Sequence, residues 1–176
     1  MKKLLVATLV ALSFGASAAN YVSVDVDRVS TQKNSGTDSI AQTIRFGTEA
    51  AGVQWGVQNR TARANGGNLF SSLEVTGGIN VGPVAPFVGI GHDNGTTTYN
   101  YGLLGATVAQ KVGPGVALVG VKTRVGSTQT NPTKQTVGFA TYAIPVAKNV
   151  SLNVNASRSY QDIKENAFGL GVGFSF

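Results

Sequence analysis

From Tyr21 to the last residue, apolar and polar side chains alternate with period two, segment after segment. That pattern leaves room for little except a β-sheet with two chemically different faces. The first segment, Tyr21–Val29, sets Val22, Val24 and Val26 against Ser23, Asp25 and Asp27. The second, Ile40–Glu49, sets Ile40, Ile44 and Phe46 against Thr43, Arg45, Gly47 and Glu49. In the third, Val53, Trp55 and Val57 oppose Gln54, Gly56, Gln58 and Arg60. The fourth opposes Leu69, Leu73, Val75, Ile79 and Val81 to Ser72, Glu74, Thr76, Gly78 and Asn80. The fifth, Val84–Asp93, puts Val84, Val88 and Ile90 outside and Phe87, Gly89 and Gly91 inside, while the sixth, Tyr99–Gln110, does not declare its facing. The seventh sets Ala117, Val119, Val121 and Val125 against Gly120, Lys122 and Arg124, and the eighth sets Val137, Phe139 and Ala143 against Thr136, Gly138 and Tyr142. The ninth alternates Val150, Leu152, Val154 and Ala156 with Ser151, Asn153, Asn155 and Ser157. The tenth alternates Phe168, Leu170, Val172, Phe174 and Phe176 with Gly169, Gly171, Gly173 and Ser175.

The connections alternate too. Ala50-Ala51, Gly82-Pro83, Val112-Gly113-Pro114 and Ala147-Lys148-Asn149 are tight, whereas Thr31–Ser39, Thr61–Asn68, Asn94–Thr98, Ser127–Lys134 and Gln161–Asn166 are longer and polar. An even number of strands, short turns on one rim and longer loops on the other is the layout of a membrane β-barrel. The expected fold is therefore all-β: a closed antiparallel up-and-down transmembrane β-barrel of ten strands, with eight as the alternative. The turns and both termini then share the periplasmic rim.

Which face meets solvent is decided by charge. Asp25, Asp27, Arg45, Glu49, Arg60, Glu74, Lys122 and Arg124 all fall opposite the Val/Leu/Ile stripe. A water-soluble barrel would show the same alternation with inside and outside exchanged. A solvent surface, however, carries about 25–35% charged residues, and this chain has 12% in all. Its polar face is mostly Gly, Ser, Thr, Asn and Gln, which suits a polar lumen where those eight side chains pair as a network. Asp25, Asp27 and Glu49 could also gather a cation, but pairing with Arg45 is the preferred expectation, and no metal site is expected.

The N-terminus carries a different signal. Lys2 and Lys3 precede an apolar run from Leu4 towards Phe14, followed by Gly15-Ala16-Ser17-Ala18. This is a secretory signal peptide, residues 1–18, with the mature domain spanning 19–176. The run is too short for a helix to cross about 30 Å of hydrocarbon. The chain has no cysteine, so the exported domain is held by packing and hydrogen bonds alone. Its net charge falls from +6 to +4 when Lys2 and Lys3 leave. The remaining bases are scattered, which excludes the basic patch of a nucleic-acid binder.

Aromatic side chains gather towards the two ends of the strands. Tyr21, Phe46 and Trp55 map to the turn rim, and Phe70, Tyr99, Tyr101, Tyr160 and Phe168 to the loop rim. Together they are expected to form the girdles that flank a lipid-facing aliphatic belt.

The last strand, Leu170-Gly171-Val172-Gly173-Phe174-Ser175-Phe176, resembles the C-terminal strand of Gram-negative outer-membrane barrels. The Pro86-Phe87-Val88-Gly89-Ile90-Gly91 stretch and the small size are similar to the opacity-type and porin-like surface barrels. That resemblance implies that Phe174 and Phe176 are read as an assembly signal by the barrel-assembly machinery. Periplasmic chaperones would be partners during biogenesis, and outer-membrane lipid and lipopolysaccharide the surroundings of a monomeric product. Ten strands and short loops depart from the usual eight-stranded members.

Catalytic chemistry is sparse. His92, the sole histidine, precedes Asp93 and Asn94 at a loop end, without the orienting partners that a nucleophilic triad requires. It does not match the His-x-Ser-Asn pattern of the lipid A deacylase barrels, and the loops are short beside those of the omptin proteases. No enzyme activity and no cofactor are expected. The expectation is a porin-like barrel with a narrow polar lumen for water or small solutes. A closed-lumen, adhesin- or opacity-like surface barrel is the alternative, and a lipid-modifying barrel enzyme a remote one.

Overall fold

A computed structural model of the chain describes residues 20–31, 38–63, 69–95, 98–127, 132–161 and 164–176. The expected signal peptide, residues 1–18, and the cleavage point before Ala19 lie outside them. Ten strands follow one another: β1 (Asn20–Thr31), β2 (Asp38–Ala50), β3 (Val53–Arg63), β4 (Leu69–Ile79), β5 (Val84–Asn94), β6 (Tyr99–Val112), β7 (Gly115–Ser127), β8 (Pro132–Ala147), β9 (Val150–Gln161) and β10 (Glu165–Ser175). Each pairs antiparallel with its sequence neighbours, and β1 pairs with β10 to close the barrel. No helix long and apolar enough to cross a membrane occurs among the described residues; a barrel crosses with strands.

The tight turns fall where expected. Ala51 and Gly52, between β2 and β3, both have positive φ, 54° and 75°, the geometry whose twist matches the flanking strands. On the other rim the strands run further than composition suggests. Thr61, Lys134 and Asn166, expected in loops, lie in β3, β8 and β10. Polar residues read as loop in a sequence, yet a rim strand only needs its backbone paired, and here the ladder continues.

Facing follows the alternation on most strands. Val88, Ile90 and Leu170 are 66%, 70% and 63% exposed on the outer face, while Ser23, Asp25 and Thr43 are buried on the inner one. β6 now declares itself: Tyr101 and Leu103 are buried inside and Leu104 is exposed outside. β8 is the instructive strand. Val137 pairs with inward Lys122, and Phe139 lines the interior, so its apolar set points inward.

Four of the expected girdle residues face outward. Phe46, Trp55, Tyr160 and Phe168 are exposed on the outer face. Tyr21, Phe70, Tyr99 and Tyr101 instead stand on strand positions of inward parity, beside Ser23, Ser72 and Leu103. They are not part of the outer girdle. Distance from a rim does not fix parity, and aromatic rings favour either face of a strand. Several inward rings lie across a glycine: Tyr21 pairs with Gly47, and Tyr101 with Gly91. A Cβ at Gly47 or Gly91 would run into the facing ring. These glycines therefore serve as floor for the aromatic side chains that fill the barrel.

Closure is completed by the last residues. The Ser175 N–H donates to the Asn149 carbonyl and the Phe176 N–H to the Asn20 carbonyl, each at 3.1 Å. Phe176 itself is 66% exposed on the outer face. Phe176→Asp should therefore lower the folded fraction recovered in membranes, because it places a charge on the lipid side of the closing strand. Folded and unfolded forms can be separated by heat-modifiable gel mobility. An unchanged folded fraction would show that the terminal apolar residue is dispensable.

Candidate functional site

The lumen holds two charge clusters on opposite walls. In the first, Asp25 of β1, fully buried, pairs with Arg45 Nη1 of β2 at 2.5 Å. Asn155 Nδ2 of β9 donates to Asp25 Oδ1 at 2.7 Å, and Ser23 Oγ donates to Oδ2 at 3.2 Å. Arg45 Nε donates in turn to Gln58 Oε1 of β3 at 3.1 Å. Asn155 reaches Asp25 across β10 because Gly171 lies beneath the carboxylate, where a Cβ would meet Asp25 Oδ1.

In the second cluster, Glu74 of β4, 3% exposed, accepts from Lys122 Nζ and Arg124 Nη2 of β7, each at 2.5 Å. Tyr101 Oη of β6 donates to Glu74 Oε1 at 3.1 Å, and Arg124 lies over the Tyr101 ring, 5.2 Å from its centroid. Arg124 Nη1 donates to Gln135 Oε1 of β8 at 2.8 Å. Glycines again make the crossing possible. Gly91 pairs with both Glu74 and Tyr101, and Gly105 pairs with Lys122. One carboxylate thus holds two cations, with its remaining lone-pair capacity used by a phenol; buried charge is tolerated under such conditions.

Of the eight charged residues read from the sequence, Asp25 meets Arg45, and Glu74 meets Lys122 and Arg124. Arg60 pairs with Glu165 at 3.4 Å. Glu49 is exposed at the turn-side mouth. Asp27 is buried over Gly169, and its Oδ1 has no hydrogen-bond partner among the described residues. Among the described residues, no three His, Cys, Asp or Glu side chains gather as a metal site.

Sequence reasoning missed Asp93 and Glu165, both on inward positions. Asp93 was legible by parity from Phe87, Gly89 and Gly91. Glu165 was hidden because its segment reads as loop. The uncharged partners Ser23, Tyr101, Gln135 and Asn155 carried no signal beyond alternation. Phe174 stands at an outward position of β10, and Phe176, just past the strand's end, is exposed. The pleat sends His92 outward, with Nδ1 2.7 Å from Asn100 Oδ1, and Asp93 inward. Neighbours in sequence, they do not form a dyad.

Among the described residues, cavities lie in the lumen on either side of its middle. One, about 200 Å³, is lined on the turn side by Tyr21, Glu49, Gln54 and Phe87. The other, about 130 Å³, is lined by Asp27, Arg60, Gln135 and Glu165. Both are lined by Arg45, Gln58, Leu118, Lys122 and Phe139. These five residues form a waist between a turn-side and a loop-side chamber.

Solved structures share this architecture. The translocator domain of the autotransporter NalP from Neisseria meningitidis aligns with a TM-score of 0.61 at 12% identity, covering 94% of this chain and 91% of that one. The fold is that of the Gram-negative outer-membrane β-barrels. The β domain of the Bordetella autotransporter BrkA aligns with a TM-score of 0.51 at 10% identity, covering 90% of this chain and 99% of that one. No family model matches the chain, and no curated protein matches it in sequence. At such identities the outer-membrane barrel is shared as a fold.

Proposed function

We propose that residues 1–18 direct export and that the mature chain resides in the outer membrane as a porin-like barrel of the small opacity-type kind, without enzymatic activity. Its lumen passes water or small solutes through a restriction at the waist. The observation that carries this reading is the pair of chambers meeting at Arg45, Gln58, Leu118, Lys122 and Phe139. Barrels of about eight strands are filled by their own side chains, while open aqueous channels come with about 16. A ten-stranded lumen with glycine-floored chambers sits nearer the filled end, so any pore is narrow. The two ion-paired clusters favour a second reading, a surface barrel whose lumen is closed.

Single-channel recording of the refolded mature protein separates the two. A narrow pore predicts a small conductance that rises in Phe139→Ala, because this ring lines both chambers and its removal widens the waist. Silence in both proteins, with folding shown by heat-modifiable mobility, supports the closed barrel instead.

A further inference from the structure

Among the described residues, every base lining the loop-side chamber already pairs with a carboxylate. Arg45 is held by Asp25, Lys122 and Arg124 by Glu74, and Arg60 by Glu165. An anion entering the chamber would have to displace a carboxylate in place. A cation would have to pass four positive side chains. Either ion would also shed water to enter a narrow lumen, a cost far smaller for an uncharged solute that finds hydrogen bonds there.

Hydrogen bonding is what the chamber offers instead. Thr43 of β2, Gln58 of β3, Gln135 and Thr141 of β8 and Ser157 of β9 line it. Gln58 and Gln135 each engage an arginine through the carbonyl oxygen, Arg45 at 3.1 Å and Arg124 at 2.8 Å, and keep their N–H groups as donors. Thr141 Oγ1 donates to Asn155 Oδ1 at 2.8 Å and keeps its lone pairs as acceptors. Asp27, 7% exposed, lines the chamber outside those ion pairs, and its Oδ1 has no hydrogen-bond partner among the described residues. Donors and acceptors thus share one space. A hydroxyl group, itself donor and acceptor, matches such a lining. Leu118 and Phe139 add an apolar wall for the C–H face of a carbon chain. At about 130 Å³, the space suits a solute of glycerol's size.

We propose that the loop-side chamber is a binding site for small uncharged polyhydroxyl solutes, which it admits to the waist in preference to ions. The proposal rests on the porin-like reading above and names the solute class of that lumen.

The test uses the mature protein refolded into vesicles, with insertion of wild type and variant first shown by heat-modifiable mobility. Vesicles are loaded with labelled glycerol, glycerate or choline, and release is compared with that from protein-free vesicles. The barrel should release glycerol about tenfold or more faster than either ion, and unlabelled glycerol should slow that release by occupying the site. Thr43→Val combined with Ser157→Ala removes two lining hydroxyls that take no part in the ion-pair clusters. It should raise the unlabelled glycerol concentration needed about threefold or more. Equal release of glycerol and ions, no competition by unlabelled glycerol, or unchanged competition in the double variant overturns the proposal. Release of ions with glycerol no faster than from protein-free vesicles sinks this site and leaves the porin-like reading standing. An inserted barrel that releases none of the three sinks that reading as well.

Discussion

Val121→Arg is expected to destabilise the folded barrel by about 2–4 kcal/mol, the cost of a base on the lipid face near the bilayer midplane. Val121 is the central residue of β7 and is 49% exposed on the outer face. Its cross-strand partners are Ala106 and Gly138, neither of which offers an acid. Lys122, one residue on, is turned by the pleat into the lumen, where it meets Glu74. Lys122→Gln should therefore cost far less in folding, because Glu74 keeps Arg124 and Tyr101 as partners. Urea unfolding in lipid vesicles measures both. The cysteine-free chain also allows single thiols at positions 121 and 122 to be tested with a lipid-partitioning reagent. Labelling at 122 from the acyl chains, with position 121 protected, would reverse inside and outside.

The alternation that makes this contrast available was legible in the sequence because the two faces of the barrel meet different solvents. On β1, β2, β7 and β10 the outer face carries Val, Leu, Ile and Phe, and the crowded lumen carries Gly, Ser and charge. Strand number and turn positions followed from the same contrast. The pattern failed where the lumen itself needed bulk. Val137 and Phe139 fill space beside Lys122 and Gly120, so these two apolar residues of β8 serve interior packing. The same ambiguity turned Tyr21 and Tyr101 inward, since a ring near a rim can serve a membrane interface or a glycine-floored lumen. Pairing within the lumen was beyond the sequence. Glu74 joins Lys122 across β5 and β6, and only the closed curvature of the wall brings those positions together.

Glu74→Gln should be the most damaging single change in the lumen, at about 3–5 kcal/mol, the usual cost of removing one partner from a buried ionic group. It leaves Lys122 and Arg124 as adjacent like charges on one face of β7. The Gln oxygen can still accept one hydrogen bond, so the lost contribution is the carboxylate charge. Adding Lys122→Met to Glu74→Gln should recover part of the loss, because the repulsion with Arg124 disappears along with the unpaired cation. The two substitutions together with each singly define a double-mutant cycle, and residues in direct contact should depart from additivity by about 0.5–3 kcal/mol. If the pore conducts, Glu74→Gln also makes the waist more positive and should shift ion preference towards anions, which a reversal potential under a salt gradient reports. Additive stabilities would mean that lumen water screens the pair. Glu74 would then leave the barrel's stability to its backbone ladder and glycine-seated rings.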